Sequence, residues 1–275
     1  MPEPAAPAPP PAAPTPAPSA AREPDAGSAV EACLEGQVQP RPDLAPPAPP
    51  RAPPLAPRRQ VICGDALTWL EGQGGALAGA SLITSLPDLA ELHPMPLAEW
   101  RAWFIAAAAA VLRACPPDGA AIFYQTDIKH EGAWIDKGYL CQRAAEEVGA
   151  ALLWHRIVCR APPGAITFGR PAYAHLLAFA PRPREELAWS TADVLPSGGE
   201  MLWSRAIGLD ACALACRYVR DHTLTRTIVD PFCGRGTVLA VANHLGLDAV
   251  GVDRSPSRCR RAERLVLDPA LAPRP

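Results

Sequence analysis

The fold is decided by the stretch TIVDPFCGRGT at residues 227–237. A β-branched run leads into a Gly-x-Gly turn at Gly234 and Gly236, and a helical segment follows over residues 238–245. A second apolar run then ends at Asp253. A strand, a glycine turn, a helix, a strand and a terminal acid, in this order, are typical of a cradle for a nucleotide-type cofactor.

Two departures from better-known cradles narrow the type of cofactor. Leu239 stands where a dinucleotide fingerprint has its third glycine, and no Gly-Lys-Ser/Thr follows the turn, which argues against a phosphate-binding P-loop. Glycine lets the backbone approach a ligand closely, and Asp253 can accept hydrogen bonds from two ribose hydroxyls. The alternative is an ordinary strand–turn–helix corner whose glycines serve packing alone.

The rest of the chain alternates strand and helix patterns. Strands are predicted at residues 61–63, 81–84, 120–124, 152–158, 173–180, 227–229 and 249–252. This alternation predicts an α/β, Rossmann-like fold, a mainly parallel sheet with helices on both faces. Ligands of such sheets bind at the carboxyl ends of the strands, where the motifs of this chain lie.

Composition divides the chain into three parts. Many of its 35 prolines lie in residues 1–58, a Pro/Ala-rich segment that we expect to be disordered because it has too little bulky apolar surface to offset the entropy of ordering. Residues 59–268 are long enough for one domain, and residues 269–275 form a short C-terminus that we also expect to be disordered. No signal peptide or membrane-spanning run is recognised.

The net charge and the spacing of the cysteines argue against a globally basic nucleic-acid-binding protein and against a disulfide-rich or metal-binding protein. The formal net charge is −2, so nucleic-acid binding would rest on local clusters of arginine. Two such clusters are Arg156, Arg160 and Arg170, and Arg254, Arg258, Arg260, Arg261 and Arg264. The nine cysteines form no Cys-x-x-Cys pair, which predicts no disulfide framework, no metal site and a reduced, cytoplasmic setting.

Three motifs together carry a family resemblance. Gly64-Asp65-Ala66 follows the first strand, Ser85-Leu86-Pro87-Asp88 follows the second, and Asp-Pro-Phe-Cys-Gly-x-Gly-Thr at 230–237 comes last. In this order they resemble the circularly permuted, seven-stranded class I S-adenosylmethionine (SAM)-dependent methyltransferases that modify cytosine N4 or adenine N6. The resemblance covers residues 60 to about 266.

The resemblance implies SAM as the cofactor and assigns residues to it. Asp253 would hold the ribose hydroxyls, Asp65 would accept from the adenine amine and Ala66 would flank the adenine ring. The methionine part would be wrapped by Asp230, Pro231, Phe232, Gly234, Gly236 and Thr237. Asp65 is also a candidate N-cap for the helix that begins at Ala66, and the two roles can coexist.

The catalytic loop departs from the family pattern, which is Asp/Asn/Ser-Pro-Pro followed by an aromatic residue. Ser85 can supply a side-chain acceptor for the target amine, and the carbonyl of Leu86 can supply a second, since Pro87 holds Leu86 extended. Asp88 replaces the aromatic residue that stacks a flipped-out base. It can accept a hydrogen bond or the released proton, or it can cap a turn.

Substrate contacts are predicted in the polar segment 125–137 and at the strand end before it. The candidates are Tyr124, Asp127, Lys129 and Trp134. A ring that stacks the base in place of Asp88 would come from Tyr124, Trp134, Phe168 or Tyr173. An ordinary surface loop is the alternative.

These motifs predict a SAM-dependent methyltransferase that acts on an exocyclic amine of a nucleic-acid base, with DNA or RNA as its partner. The alternatives are a methyltransferase of small molecules or proteins, and an inactive SAM-fold binding module. The sequence leaves DNA versus RNA and the oligomeric state open.

Overall fold

An eight-stranded sheet forms the centre of the computed structural model, which describes residues 56–92, 94–184 and 192–273. The strands in chain order are β1 (Arg59–Cys63), β2 (Ala80–Thr84), β3 (Ala121–Gln125), β6 (Ala151–Cys159), β7 (Tyr173–Ala180), β8 (Val194–Leu195), β9 (Thr227–Asp230) and β10 (Asp248–Asp253), while β4 (Ile128–His130) and β5 (Ala133–Ile135) form a separate hairpin. Their order across the sheet is β1-β10-β9-β2-β3-β7-β6-β8.

Five neighbouring strands, from β1 to β3 across the sheet, are parallel, and β7 is antiparallel to both of its neighbours. The carboxyl ends of β1, β10, β9, β2 and β3 therefore lie along one edge. Every residue of β2 and β3 is buried, as expected for central strands covered on both faces.

Six helices cover the two faces of the sheet. They are α1 (Ala66–Gly72), α2 (Leu97–Arg113), α3 (Lys137–Val148), α4 (Leu209–His222), α5 (Thr237–His244) and α6 (Pro256–Arg264). The first three contribute to the hydrophobic core on one face, and the last three contribute to the core on the other. The predicted α/β fold, a mainly parallel sheet with helices on both faces, is confirmed.

Two details differ from the sequence expectation. The sheet has eight strands instead of seven, because the two-residue strand β8 pairs with β6 at the edge. The segment 125–137, predicted as a loop, contains the β4–β5 hairpin, whose two-residue turn has positive φ at Glu131 (46°) and Gly132 (85°). Strands of three residues are too short to give a recognisable alternation.

The ends of the described region bear on the predicted domain limits. Residues 1–55 of the predicted tail lie outside the described residues, and Arg58 contacts Asp248 through its backbone N–H and its guanidinium group, at 2.7 to 3.2 Å. Residues 269–273 include a turn, and the carbonyl of Pro273 is 2.9 Å from His244 Nε2. The limits 59–268 and the disorder of both termini stay predictions.

For the described residues, the structure also bears on membrane-spanning helices and on the state of the cysteines. None of their helices is long and apolar enough to cross a membrane. The eight cysteines that the structure describes are all free thiols.

Candidate active site

A cleft of about 1040 Å³ opens at the carboxyl ends of the parallel strands. It brings together the three sequence motifs and Asp253, although Asp65 and Asp253 are 188 positions apart in the chain. The predicted site residues that line it are Asp65, Ala66, Ser85, Leu86, Pro87, Asp88, Tyr124, Asp127, Lys129, Asp230, Pro231, Phe232, Gly234, Thr237 and Asp253. Gly236 and three of the rings considered for stacking, Trp134, Phe168 and Tyr173, are not among the lining residues.

Asp230 ends β9 at the floor of the cleft and is buried. Its Oδ1 accepts hydrogen bonds from Thr84 Oγ1 at 2.6 Å and from the Phe232 amide at 3.1 Å. Burial raises the pKa of Asp230 to about 7, and the charge of Asp253 adds to the increase, while the two hydrogen bonds oppose it. A cationic ligand in the cleft would therefore favour the ionised form of Asp230.

The two glycines of the turn have different surroundings. Both have positive φ, 56° at Gly234 and 86° at Gly236, which other residues rarely adopt. A Cβ on Gly234 would meet no atom within 4 Å, so the backbone faces open space beside the cleft. A Cβ on Gly236 would lie 2.8 Å from Cα and Cβ of Ala262. Gly236 thus allows α6 to pack closely, a role that differs from the cofactor contact predicted for it.

Helix α5 begins at the cleft without a side-chain cap. Its first residue, Thr237, is buried, and Thr237 Oγ1 has no hydrogen-bond partner among the described residues. A buried hydroxyl without a partner is uncommon in folded proteins. The position of Thr237 at the positive end of a helix suits an anionic group of a ligand.

Asp253 ends β10 and also lines the cleft. Its Oδ1 accepts from the Ser255 amide at 2.7 Å, and Arg258 Nη1 lies 3.7 Å from its Oδ2. Its side chain is 10% exposed. The loosely paired Oδ2 is the atom available for ligand hydroxyls.

Asp65 has the N-cap role that the sequence allowed. Its Oδ1 accepts from the amides of Leu67 and Thr68 at 3.1 and 3.0 Å and from Thr68 Oγ1 at 3.1 Å. The carboxylate also lines the cleft, and Ala66 is buried beside it. Capping uses one of the two carboxylate oxygens, so the geometry leaves room for the predicted adenine contact as well.

The catalytic loop follows β2 directly. The side chain of Leu86 is 2% exposed and packs in the core below α2, which fixes the loop between Ser85 and Pro87. Asp88 precedes a single 3-10 turn, Leu89–Glu91, but makes no side-chain cap there. The turn-cap alternative for Asp88 is therefore wrong.

Asp88 instead pairs with a buried lysine that the sequence argument did not single out. Lys137, the first residue of α3, is 2% exposed, and its Nζ lies 2.5 Å from Asp88 Oδ1. The same Nζ lies 5.7 Å from the ring centroid of Phe104. Asp88 keeps about a third of its side chain exposed to the cleft, so the pair presents a carboxylate and an ammonium group side by side.

Asp127 lies within a hydrogen-bonded network and is buried. It accepts from the Lys137 amide at 2.8 Å and from Tyr173 Oη at 3.2 Å, and His175 Nε2 lies 3.1 Å away. Burial acts to raise the pKa of Asp127, but the hydrogen bonds, led by that of His175, outweigh it and lower the pKa. His155 Nε2 lies 3.0 Å from His175 Nδ1, and burial, followed by the charge of His175, lowers the pKa of His155. Asp127 therefore anchors α3 and β7 beside the cleft.

The same network has a spacing compatible with a metal ion. One ligand atom each of Asp127, Asp136 and His175 lie within 4.8 Å of one another. These atoms already have protein partners, since Asp136 Oδ1 caps the Tyr139 amide at 2.8 Å and Asp127 accepts from three groups. Hydrogen bonding accounts for the arrangement, and the predicted absence of a metal stays a prediction.

Only one of the aromatic residues that the sequence suggests for stacking a base lines the cleft. Of the four rings proposed to stack a base, Tyr124 lines the cleft, whereas Trp134, Phe168 and Tyr173 are not among its lining residues. Lys129 Nζ lies 5.8 Å from the Trp134 ring on the hairpin. Two further indoles, Trp103 and Trp203, line the cleft, and Trp103 meets Phe232 edge to face at 6.2 Å. No local motif distinguishes these indoles in the sequence, because each lies in an apolar helix or a long connection.

Comparisons with solved structures identify the fold. A putative DNA modification methylase from Thermus thermophilus matches with a TM-score of 0.56 at 18% identity, over 75% of this chain and 92% of its own. Its complex with S-adenosyl-L-methionine gives 0.55 at 18% identity, over 74% and 92%. The cytosine-N4-specific PvuII DNA methyltransferase gives 0.58 at 17% identity, over 79% and 89%.

No protein-family model and no curated protein sequence matches the chain. At identities this low the structural likeness establishes the fold, which is the Rossmann-like fold of class I methyltransferases. The predicted fold class is confirmed.

Proposed function

We propose that this protein is a SAM-dependent methyltransferase that modifies an exocyclic amine of a nucleic-acid base. One observation carries the proposal: a single cleft joins the glycine turn and Asp253 to the loop from Ser85 to Asp88. A cofactor cradle beside a loop of hydrogen-bond acceptors is the arrangement that transfer to an amine requires. Two structural neighbours support it, the PvuII DNA methyltransferase and a putative DNA modification methylase solved with SAM.

The residues of the cradle fit SAM. The unpartnered Thr237 Oγ1 and the uncapped start of α5 suit the carboxylate of the methionine part, and Asp230 suits its cationic groups. Asp253 would hold the ribose hydroxyls, and Asp65 with Ala66 would contact the adenine. When bound, SAM supplies an electrophilic methyl group.

The chain's own contribution is to position the amine and to take up its proton. Ser85 Oγ and the Leu86 carbonyl accept hydrogen bonds from the two N–H groups, which orients the nitrogen lone pair toward the cradle. The exposed oxygen of Asp88 accepts the proton that the amine loses. Lys137 holds the other carboxylate oxygen in place.

The order of elements also supports a circularly permuted member of this fold. The glycine turn follows β9, late in the chain, while the strands that carry Asp65 and Ser85 come first and lie on either side of the β9–β10 pair. A start at β9 would give the order of motifs that an unpermuted chain has.

Asp88 and Lys137 favour a second candidate, a methyltransferase of a small polar molecule. An adjacent carboxylate and ammonium group can bind a polar substrate by two charge-assisted hydrogen bonds, with no need of a stacked base. The two candidates predict methyl transfer to different fractions of a cell extract: the first to DNA or RNA, and the second to small molecules.

The test uses SAM with a labelled methyl group and, separately, DNA, RNA and a small-molecule extract. We expect label in DNA or RNA and little in the small molecules. Ser85→Ala and Asp88→Ala should lower the rate of transfer while leaving SAM affinity unchanged, since neither residue lies in the cradle. Label confined to the small-molecule fraction would favour the second candidate, and absence of transfer with intact SAM binding would favour an inactive binding module.

A further inference from the structure

A second, shallower groove of about 670 Å³ lies beside the cleft, and we call it the α6 groove. Its lining residues are Trp203, Arg235, Ser257, Arg260, Arg261, Arg264, Leu265 and Val266. Four of the eight are arginines and none is acidic, in a chain whose formal net charge is −2. The groove is therefore a local concentration of positive charge.

The arginines of this groove are not used to stabilise the fold through ion pairs. Among the described residues, none forms an ion pair or a hydrogen bond with the guanidinium groups of Arg235, Arg260, Arg261 or Arg264. The neighbouring Arg258, by contrast, lies 3.7 Å from Asp253. Arg260 and Arg264 are four positions apart on α6, a spacing at which like charges repel and destabilise a helix. An anion bound in the groove would remove this repulsion.

The α6 groove is continuous with the candidate active site. Trp203 and Arg235 line both cavities, and the guanidinium carbon of Arg235 lies 5.5 Å from the Trp203 ring centroid. Arg235 belongs to the glycine turn itself. A ligand that extends from the catalytic loop across Trp203 would therefore reach the arginines of α6.

An indole beside several guanidinium groups is the combination that binds unpaired nucleic acid. Bases stack on aromatic rings without regard to sequence, and arginines neutralise the phosphates. A small anion would need only one or two guanidinium groups and would not explain the indole.

We infer that the α6 groove binds the unpaired strand next to the target nucleotide, with phosphates on Arg260, Arg261 and Arg264 and a base on Trp203. This inference rests on the proposed function, because it assigns the strand that carries the reacting base. It also gives a chain with balanced charge a defined surface for a polyanion.

The test measures binding separately from methyl transfer. A fluorescein-labelled single strand of about 12 nucleotides, as DNA and as RNA, is titrated with the full chain over a range of salt concentrations, and anisotropy gives the affinity. The variant Arg261→Glu/Arg264→Glu should bind on the order of tenfold or more weakly, and the slope of log affinity against log salt should fall by roughly 0.7 for each phosphate that is no longer neutralised. Arg101→Glu/Arg113→Glu, the same charge change on exposed residues of α2, is the matched control and should bind like the unmodified protein.

Three results would overturn the inference. Equal weakening in both double variants would show a general charge effect without a site. Unchanged binding in the groove variant, with methyl transfer to nucleic acid intact, would place the strand elsewhere and leave the proposed function standing. Binding to phosphatidylserine vesicles without binding to either oligonucleotide would assign the arginines to a membrane surface. Thermal unfolding and SAM affinity of each variant show whether the fold and the cradle are intact.

Discussion

Asp230→Asn should change how stability depends on pH, and it should do so without SAM. The substitution removes the carboxylate charge but keeps an oxygen that can accept from Thr84 Oγ1 and the Phe232 amide, which now bond to Asp230 Oδ1 at 2.6 and 3.1 Å. Any difference between the two proteins that depends on pH then reports the ionisation of this one buried group.

The size of the effect follows from the pKa of Asp230, which burial raises from 3.8 to about 7. Below about pH 4 both the folded and the unfolded state hold the proton, and the contribution of Asp230 to stability is fully present. Between pH 4 and 7 the unfolded state releases the proton while the folded state keeps it, so this contribution falls as pH rises. The total loss is on the order of 4 kcal/mol, from about three pKa units at 1.36 kcal/mol each.

The assay is denaturant unfolding of the unmodified protein and Asp230→Asn at intervals from pH 4.5 to 8.5. We expect the stability of the variant relative to the unmodified protein to increase with pH and to level off above pH 7. Titrating groups that do not interact with Asp230, such as His155 and Asp127, are common to both proteins and cancel in the difference. A difference that stays constant over this range would refute the reasoning, because it would mean that Asp230 titrates alike in the folded and unfolded states.

Three further predictions concern single positions in the cleft. Asp253→Ala should weaken SAM binding by on the order of 1.5–3 kcal/mol, measured by calorimetry, since it removes a charged acceptor; unchanged affinity in a folded variant would count against the cradle. Lys137→Met should lower the rate of methyl transfer while sparing SAM affinity, because Asp88 loses the partner, 2.5 Å away, that orients its carboxylate. An unchanged rate per folded molecule would show that the Asp88–Lys137 pair is only structural. Gly236→Ala should destabilise the fold by roughly 1–3 kcal/mol, because φ of Gly236 is 86° and the new Cβ would lie 2.8 Å from Ala262. A stability equal to that of the unmodified protein would contradict the close packing of α6 on Gly236.

Local patterns predicted the fold class and the position of the cleft. The strand that ends at Asp230, the glycine turn and the helix after it are neighbours in sequence, so their pattern is readable without tertiary information. The N-cap role of Asp65 depends on residues only two and three positions away, so the sequence alone also predicts it. In parallel sheets the strand ends share one edge, which is why the separate motifs could be expected in one cleft.

The unpredicted parts of the site depend on contacts between distant positions. Asp88 and Lys137 are 49 positions apart, and Thr84 and Asp230 are 146 apart. A buried lysine cannot be told from an exposed one by composition, because its burial depends on a partner from another element. The motif predicts a cofactor contact for Gly236, because it does not show that α6 packs where a Cβ of this residue would lie.

The most direct test of the central claim is the identity of the methylated product. The protein is incubated with isotopically labelled SAM and either DNA or RNA, the nucleic acid is digested to nucleosides, and mass spectrometry locates the label. We expect label on an exocyclic amine, as N4-methylcytosine or N6-methyladenine, with Ser85→Ala and Asp88→Ala giving much less of the same product. Label on a ring carbon, on the sugar or on no nucleoside would contradict it.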